Sequence, residues 1–307
     1  MARCGTHGVT VGGLIRVWNR SCSNSGVNSL RHYACKFAAL VSCLLLGLAA
    51  PLHAPHAADF GVPPPTQSAD GWIVTVRVTG AVTPSFPGSS KMRPYPFPSI
   101  SFRRVGEPEA FSTPDDGFGL SLIDTGNFRA GPVANFVFKR GQRDGLFGLR
   151  RVGLTHEIGG FVEFTPVEHV RARAELRQGI DGHKGFVAVI GADVYGSTVN
   201  GLSASIGPRF DFGDNRYANA YFSVSPVEAI LNGRLAPYSA SGGFTSVGGL
   251  ATVRFDFTKS ASATLFGGLQ RLTGSVGDSP IPNLLGSRNQ FTAGLSIGRS
   301  FVVPALW

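Results

Sequence analysis

Hydrophobic and polar positions alternate with period two along much of this chain. In residues 168–178 (EHVRARAELRQ), Val170, Ala172, Ala174 and Leu176 fall on one face of an extended strand, and Arg171, Arg173, Glu175 and Arg177 on the other. Successive side chains of a strand point to opposite faces, so the pattern separates apolar from charged completely. A soluble sheet turns its apolar face to a core. A transmembrane barrel turns it to lipid and keeps the polar face for the lumen. The local pattern fits both.

The same alternation recurs in 71–79 (Trp72, Val74, Val76 and Val78 against Thr75, Arg77 and Thr79), in 251–258 and in 291–298. Twelve segments are predicted as strands: 71–80, 95–104, 117–123, 127–138, 157–165, 168–178, 184–195, 200–211, 216–222, 246–257, 261–272 and 289–301. Most reach the roughly 9–11 residues that a tilted membrane strand needs. An even count suits a bacterial barrel. The connections 81–94, 223–245 and 273–288 fall on one side, whereas 139–156 falls on the other, against the usual division into long outer loops and short turns. The best helical candidate is 225–235 (SPVEAILNGRL), a short loop helix after Ser225. Lys91, Lys139, Lys184 and Lys259 lie at or near strand ends or loops, which suits a lipid-facing belt. The expectation is an all-β fold: a transmembrane, antiparallel, up-and-down β-barrel of about 12 strands over 71–307.

The N-terminus supports export. Residues 37–50 (FAALVSCLLLGLAA) are uncharged and apolar, follow Arg31, His32 and Lys36, and lead to small residues at Ala57 and Ala58. This is the order of a secretory signal peptide, with cleavage near 57/58. The first thirty residues are polar, which fits a start nearer Val27 or Leu30. LVSC at 40–43 resembles a lipoprotein box, but Cys43 lies inside the apolar run and reads better as part of it. Residues 1–57 are thus read as an extension plus signal peptide, and 58–70 as a flexible periplasmic tail.

The leader changes the view of composition. All four cysteines (Cys4, Cys22, Cys35, Cys43) lie in it, so no disulfide, thiol nucleophile or cysteine-ligated metal is expected in the mature chain. It also holds five of the 28 basic residues and none of the 19 acids, leaving 23 against 19, a net of +4. No basic stripe or recognition module accompanies that charge, so nucleic-acid binding is not expected.

The segments AELRQG (174–179) with DGHKG (181–185), GPR (207–209), YANAYFSVSP (217–226), SGG (241–243) and DSPI (278–281) with GSRNQF (286–291) run in order. With RPYPFPSISFR (93–103), GLSL (119–122), FRAGP (128–132) and GGFVEF (159–164), this set resembles the MltA-interacting protein family, also called the OmpV family, of outer-membrane proteins. The resemblance spans nearly the whole mature chain. It implies an outer-membrane barrel surrounded by lipid and inserted by the barrel assembly machinery. For the founding member it implies a scaffold linking a murein lytic transglycosylase to a penicillin-binding synthase.

Candidate site residues follow from the facing. Arg171, Arg173, Glu175 and Arg177, with Arg254 and Asp256, are expected to face the lumen, either as a lattice of ion pairs or as the lining of an anion-attracting pore. Arg129, Arg209 and Arg254 are expected to pair with Asp193, Asp211 or Asp256. His156, His169 and His183 are read as loop or interfacial residues, and adjacent Glu168 and His169 as poorly placed to pair. Asp278, Ser287, Arg288 and Asn289 form a loop cluster that either recognises something or fixes the start of the last strand. Strand 289–301 is expected to close against 71–80, removing both sheet edges, with Phe301 as the assembly signal and pairing fading at Pro304, which lacks an N–H. No cofactor, metal or catalytic residue is expected. The leading function is a scaffold; the alternative is a pore with an arginine-lined lumen.

Overall fold

The faces of the strands decide what the pattern left open. In a computed structural model, which describes residues 71–197 and 200–304, Arg171, Arg173, Glu175 and Arg177 are buried while Ala172 and Leu176 are exposed. The same inversion holds around the sheet, with Ile158, Val162, Ile190, Val194, Ile206, Val253, Leu265 and Phe291 all pointing out. A sheet that buries charge and exposes Val, Ile, Leu and Phe is a membrane barrel, with lipid outside and a polar lumen. The four lysines named above all lie in connections between strands. The stretches read as a signal peptide and a 58–70 tail, and Trp307, lie outside the described residues.

One antiparallel sheet carries the fold. Its strands are β1 (Gly71–Pro84), β2 (Met92–Arg104), β3 (Phe118–Gly119), β4 (Ile123–Asp124), β5 (Phe128–Val137), β6 (Thr155–Val167), β7 (Val170–Asp181), β8 (Phe186–Ser197), β9 (Leu202–Gly213), β10 (Gly243–Thr258), β11 (Ala261–Leu272) and β12 (Asn289–Pro304). The order is β2-β1-β12-β11-β10-β9-β8-β7-β6-β5-β3, with β4 also on β5. The chain ends meet: Gly71 pairs with Pro304 and Val74 with Phe301. Pairing continues through Val302 and Val303 to Pro304. Cross-strand hydroxyl pairs line the inner side of this junction, Thr75 with Ser300 (2.8 Å) and Thr79 with Ser296 (2.9 Å).

Three sequence expectations need correction. Segment 216–222 is not a strand but α1 (Asn215–Phe222), begun by Asp214, whose side chain accepts from the Tyr217 N–H. Segment 117–123 is present only as the short β3 and β4, held to β5 by further bonds from the Leu120 and Leu122 N–H groups. Gly131 permits this approach, since a Cβ there would stand 1.9 Å from the Leu120 carbonyl oxygen. With those two segments reassigned, the connection 138–154 moves to the same end as 85–91, 214–242 and 273–288. The opposite end has the short turns 168–169 and 259–260, together with Gly71 and Pro304.

A further correction concerns closure. β12 does join β1, yet both sheet edges survive elsewhere, as β2 on one side and β3–β4 on the other. These two edges run in the same direction, toward the turn end, and no backbone ladder joins them among the described residues. Side chains bridge them instead: Tyr95 meets Phe138 at 5.0 Å and Phe97 meets Phe118 at 6.1 Å between ring centroids.

The long connections fold onto one another. Phe86, Leu146, Leu149, Val224, Ala229, Leu235 and Ile281 form one apolar cluster, and Val152, Ala218, Tyr221, Phe222, Ala240, Leu272 and Val276 another. α2 (Pro226–Asn232), within the 225–235 stretch read as helical, starts with a capping box between Ser225 and Glu228 and ends at Gly233 with positive φ. α3 (Gly274–Asp278) and the helical turn Ile281–Leu285 complete this cap. Arg140, 1% exposed, ties it together by donating to the Tyr221 and Arg150 carbonyls. The two larger apolar clusters thus sit over one end of the barrel, and a smaller one of Ala81, Leu250 and Phe266 lies inside it.

Candidate functional site

The lumen is occupied by the chain itself. β2 ends at Arg104 near the turn end, and β3 begins opposite Val133 and Ala134 in the middle of β5. Between them, residues 105–117 touch inward-facing residues of β1, β5, β7, β9 and β10. Glu109 pairs with Arg77 and takes two 2.9 Å bonds from Arg254; Phe111 accepts from Arg129; Asp115 pairs with Arg209 and Asp116 with Arg171. A segment that reaches strands on all sides must rise through the barrel, and it acts as a plug.

Around it stands a continuous ion-pair lattice. Arg171 grips both oxygens of Asp116 (2.7 and 2.9 Å) and reaches Asp193 at 2.9 Å. Arg173 binds Glu163 (3.1 Å) and Glu175 (2.8 Å), and its guanidinium lies 3.9 Å from the Phe161 ring centroid. Arg177 binds Glu157 at 2.9 Å and also Glu175. Arg209 joins Asp193 to Asp115, and Arg129 pairs with Glu163. Nearer the turn end, Arg254 also bonds Asp256 at 2.8 Å. Removing either partner of such a buried pair leaves a charge without compensation.

Of the pairings expected from sequence, Arg209 with Asp193 and Arg254 with Asp256 are present, whereas Arg129 takes Glu163 instead. Among the described residues no guanidinium comes within 4 Å of Asp211; its Oδ2 accepts from Ser246 (2.6 Å) and Gln270 (2.9 Å). Glu109, Asp115, Asp116, Glu157 and Glu163 were not singled out. The available signal was four acids within 107–116, in a stretch with no strand period.

His183 lies in the 182–185 connection, as its reading as a loop residue expected, and is buried there. The Gly185 N–H donates to its Nδ1 (3.1 Å), so Nε2 carries the proton given to Glu157 (3.0 Å). Both ring nitrogens are committed. Glu168 and His169 form the turn between β6 and β7 and do approach, at 3.5 Å, because neither is in a strand. Arg288 bonds Asp278 (3.0 Å) and Asn283 (2.7 Å), closing the 273–288 connection, while Ser287 caps the Asn289 N–H. Phe301 is exposed on the outer face, with Arg299 over its ring.

Between cap and plug lies a cavity of about 370 Å³. Phe86, Pro87 and Tyr217 line its roof, Pro114, Asp115 and Asp116 its floor, and Tyr95, Phe97, Phe118 and Phe138 the side at the seam.

These features define a class: a transmembrane β-barrel of the outer-membrane type, with a capped end and a plugged, charge-paired lumen. The family described as MltA-interacting protein MipA matches residues 76–301, and the chain belongs to that family. No curated protein matches the chain. Among solved structures, the N-terminal β-barrel domain of Pseudomonas aeruginosa OprF is similar at 12% identity, over 75% of this chain and 97% of that one, with a TM-score of 0.25. An outer membrane channel from Pseudomonas putida F1 is similar at 10% identity, over 80% and 100%, with a TM-score of 0.40. The barrel assignment rests on the strand register, not on these two likenesses.

Proposed function

We propose that this protein is an outer-membrane scaffold that holds a murein lytic transglycosylase of the MltA kind at the membrane, and through it a penicillin-binding synthase. The family match carries the reading, because the family is described by that interaction. The lumen supports it: a barrel filled by its own segment and capped by its own loops works through its surfaces rather than by passage. Short turns and termini of outer-membrane barrels face the periplasm, where murein lies. The partner surface is therefore the end bearing 168–169 and 259–260, reached after export by the signal peptide and insertion by the barrel assembly machinery. Glu168, His169 and Lys259 are exposed there. The reading assigns no reaction to the chain.

The test is capture of a purified MltA-type transglycosylase by the full mature barrel in lipid nanodiscs. Saturable capture is expected, weakened by charge reversal at Glu168 and Lys259 together and unchanged by substitutions in the cap. Absence of capture by a correctly folded barrel would remove the scaffold role.

A further inference from the structure

The seam between β2 and β3–β4 is a built feature, and its cause lies in three prolines. β2 reads MRPYPFPSISFRR, with Pro94, Pro96 and Pro98 two residues apart. Alternate residues of a strand direct their N–H groups to the same edge. β2 keeps unbroken register with β1, Thr79 opposite Phe97 and Ala81 opposite Tyr95, so the odd-numbered residues bond to β1. The prolines therefore fall on the free edge, which lacks three successive donors and cannot complete a ladder. Open sheet edges are otherwise excluded from lipid.

The cavity lies directly behind this edge. Backbone ladders wall it elsewhere, the cap covers it, and the 105–117 plug floors it. On its seam side stand the rings of Tyr95, Phe97, Phe118 and Phe138, with the Arg93 guanidinium 3.6 Å from the Phe138 centroid, side chains that rotate without breaking backbone bonds. Asp211 stands in its wall as the lumen carboxylate without a cationic partner within 4 Å among the described residues. Both of its hydrogen bonds among the described residues fall on Oδ2.

We propose that the seam is a lateral port through which a single-chain amphiphile with a cationic head passes from the bilayer into the cavity, its chain against the seam aromatics and Phe266 and its head on Asp211. The chemistry selects this ligand. An apolar wall accepts a chain and an unpaired carboxylate accepts an ammonium; an anionic head would meet Asp211, Asp115 and Asp116, while Arg209, the cation lining the cavity, is already bound to Asp115 and Asp193. The inference does not rest on the scaffold reading.

The experiment uses the full mature chain in phosphatidylcholine nanodiscs, with dodecylammonium and dodecanoate as probes sharing one tail. Dodecylammonium should be retained saturably above empty nanodiscs, and dodecanoate roughly tenfold more weakly, the equivalent of one modest charge contact. Asp211→Asn should abolish the preference while keeping heat-modifiable migration. For the route, Phe97→Cys with Phe118→Cys is joined by a short bismaleimide, which is specific because the mature region has no cysteine. The joined protein should load more slowly than the same variant unjoined. No saturable retention, or a preference unchanged in Asp211→Asn, overturns the site; equal loading of joined and unjoined protein overturns the lateral route.

Discussion

Arg173 shows how far one residue can be read from sequence. Period two places it inside and Ala174 outside, and the structure agrees on both. On that facing alone, Ala174→Arg is expected to harm the protein more than Arg173→Ala, whose removal would leave a carboxylate beside water. The contacts change this expectation. Arg173 is 9% exposed, and its partners Glu163 and Glu175 are only 3% and 4% exposed. Breaking a buried pair costs up to about 3–5 kcal/mol; Glu163 keeps Arg129 and Glu175 keeps Arg177, so Arg173→Ala falls toward the lower end of that range, against about 2–4 kcal/mol for an arginine turned to mid-bilayer lipid. The two variants should lose comparable stability in urea unfolding in lipid. A stability for Arg173→Ala equal to the parent's would mean that the lattice does not hold the barrel. Facing was legible here because it is local. The partners were not, since Asp116 comes from a distant segment with no period at all, and Glu163 stands opposite Arg173 only once the register of β6 against β7 is fixed.

At the scale of elements, regular strands were legible and the cap was not. NRYANAYF was read as a strand because aromatic and polar residues alternate in part, yet Asp214 ahead of it is an N-cap signal and its two alanines favour helix. The apolar contacts that make the loops a cap join segments far apart in sequence. One joint in it has a pH signature. Burial disfavours the charged form of Glu228, but bonds from the Arg150 side chain and from the Ser225 and Arg150 N–H groups outweigh it and hold the carboxyl down to about 2, from an ordinary 4.5. A depressed folded value means its contribution is whole above pH 4.5 and is lost as pH falls from there through about 2. Hydrogen exchange in 138–154 and 226–242 should accelerate across that window, and Glu228→Gln should remove the dependence. A flat profile in the parent would contradict the joint. The last strand gives a second prediction. Deleting 305–307 should leave heat-modifiable migration intact, whereas deleting 302–307 removes the pairs of Ile73, Trp72 and Gly71 and should slow membrane insertion. Equal insertion by both truncations would show that pairing beyond Phe301 contributes nothing.

For the whole molecule, the barrel class was readable from alternation, export signal and scarce lysine, while the state of the lumen was not. A lining of arginine fits a pore and a lattice equally until the carboxylates that meet it are located. Five arginines of the main lattice (Arg129, Arg171, Arg173, Arg177, Arg209) meet six carboxylates (Asp115, Asp116, Glu157, Glu163, Glu175, Asp193), and two of those six ride on the plug. With Glu109, the plug has three acids in contact with arginines of β1, β7, β9 and β10. The intact protein in a planar bilayer should therefore show no steady conductance. Changing Glu109, Asp115 and Asp116 together to their amides keeps side-chain size but removes the charge that holds the segment in place. It also leaves Arg77, Arg209 and Arg254 short of partners in a lumen that water can then enter. Step-like, anion-favouring currents should appear in this triple variant. They should be absent from a control in which the exposed Asp124 and Glu168 are changed to amides. Steady conductance in the parent chain would show that the plug leaves a path, and silence in a folded triple variant would show that packing of the segment, rather than its charge, keeps the lumen shut.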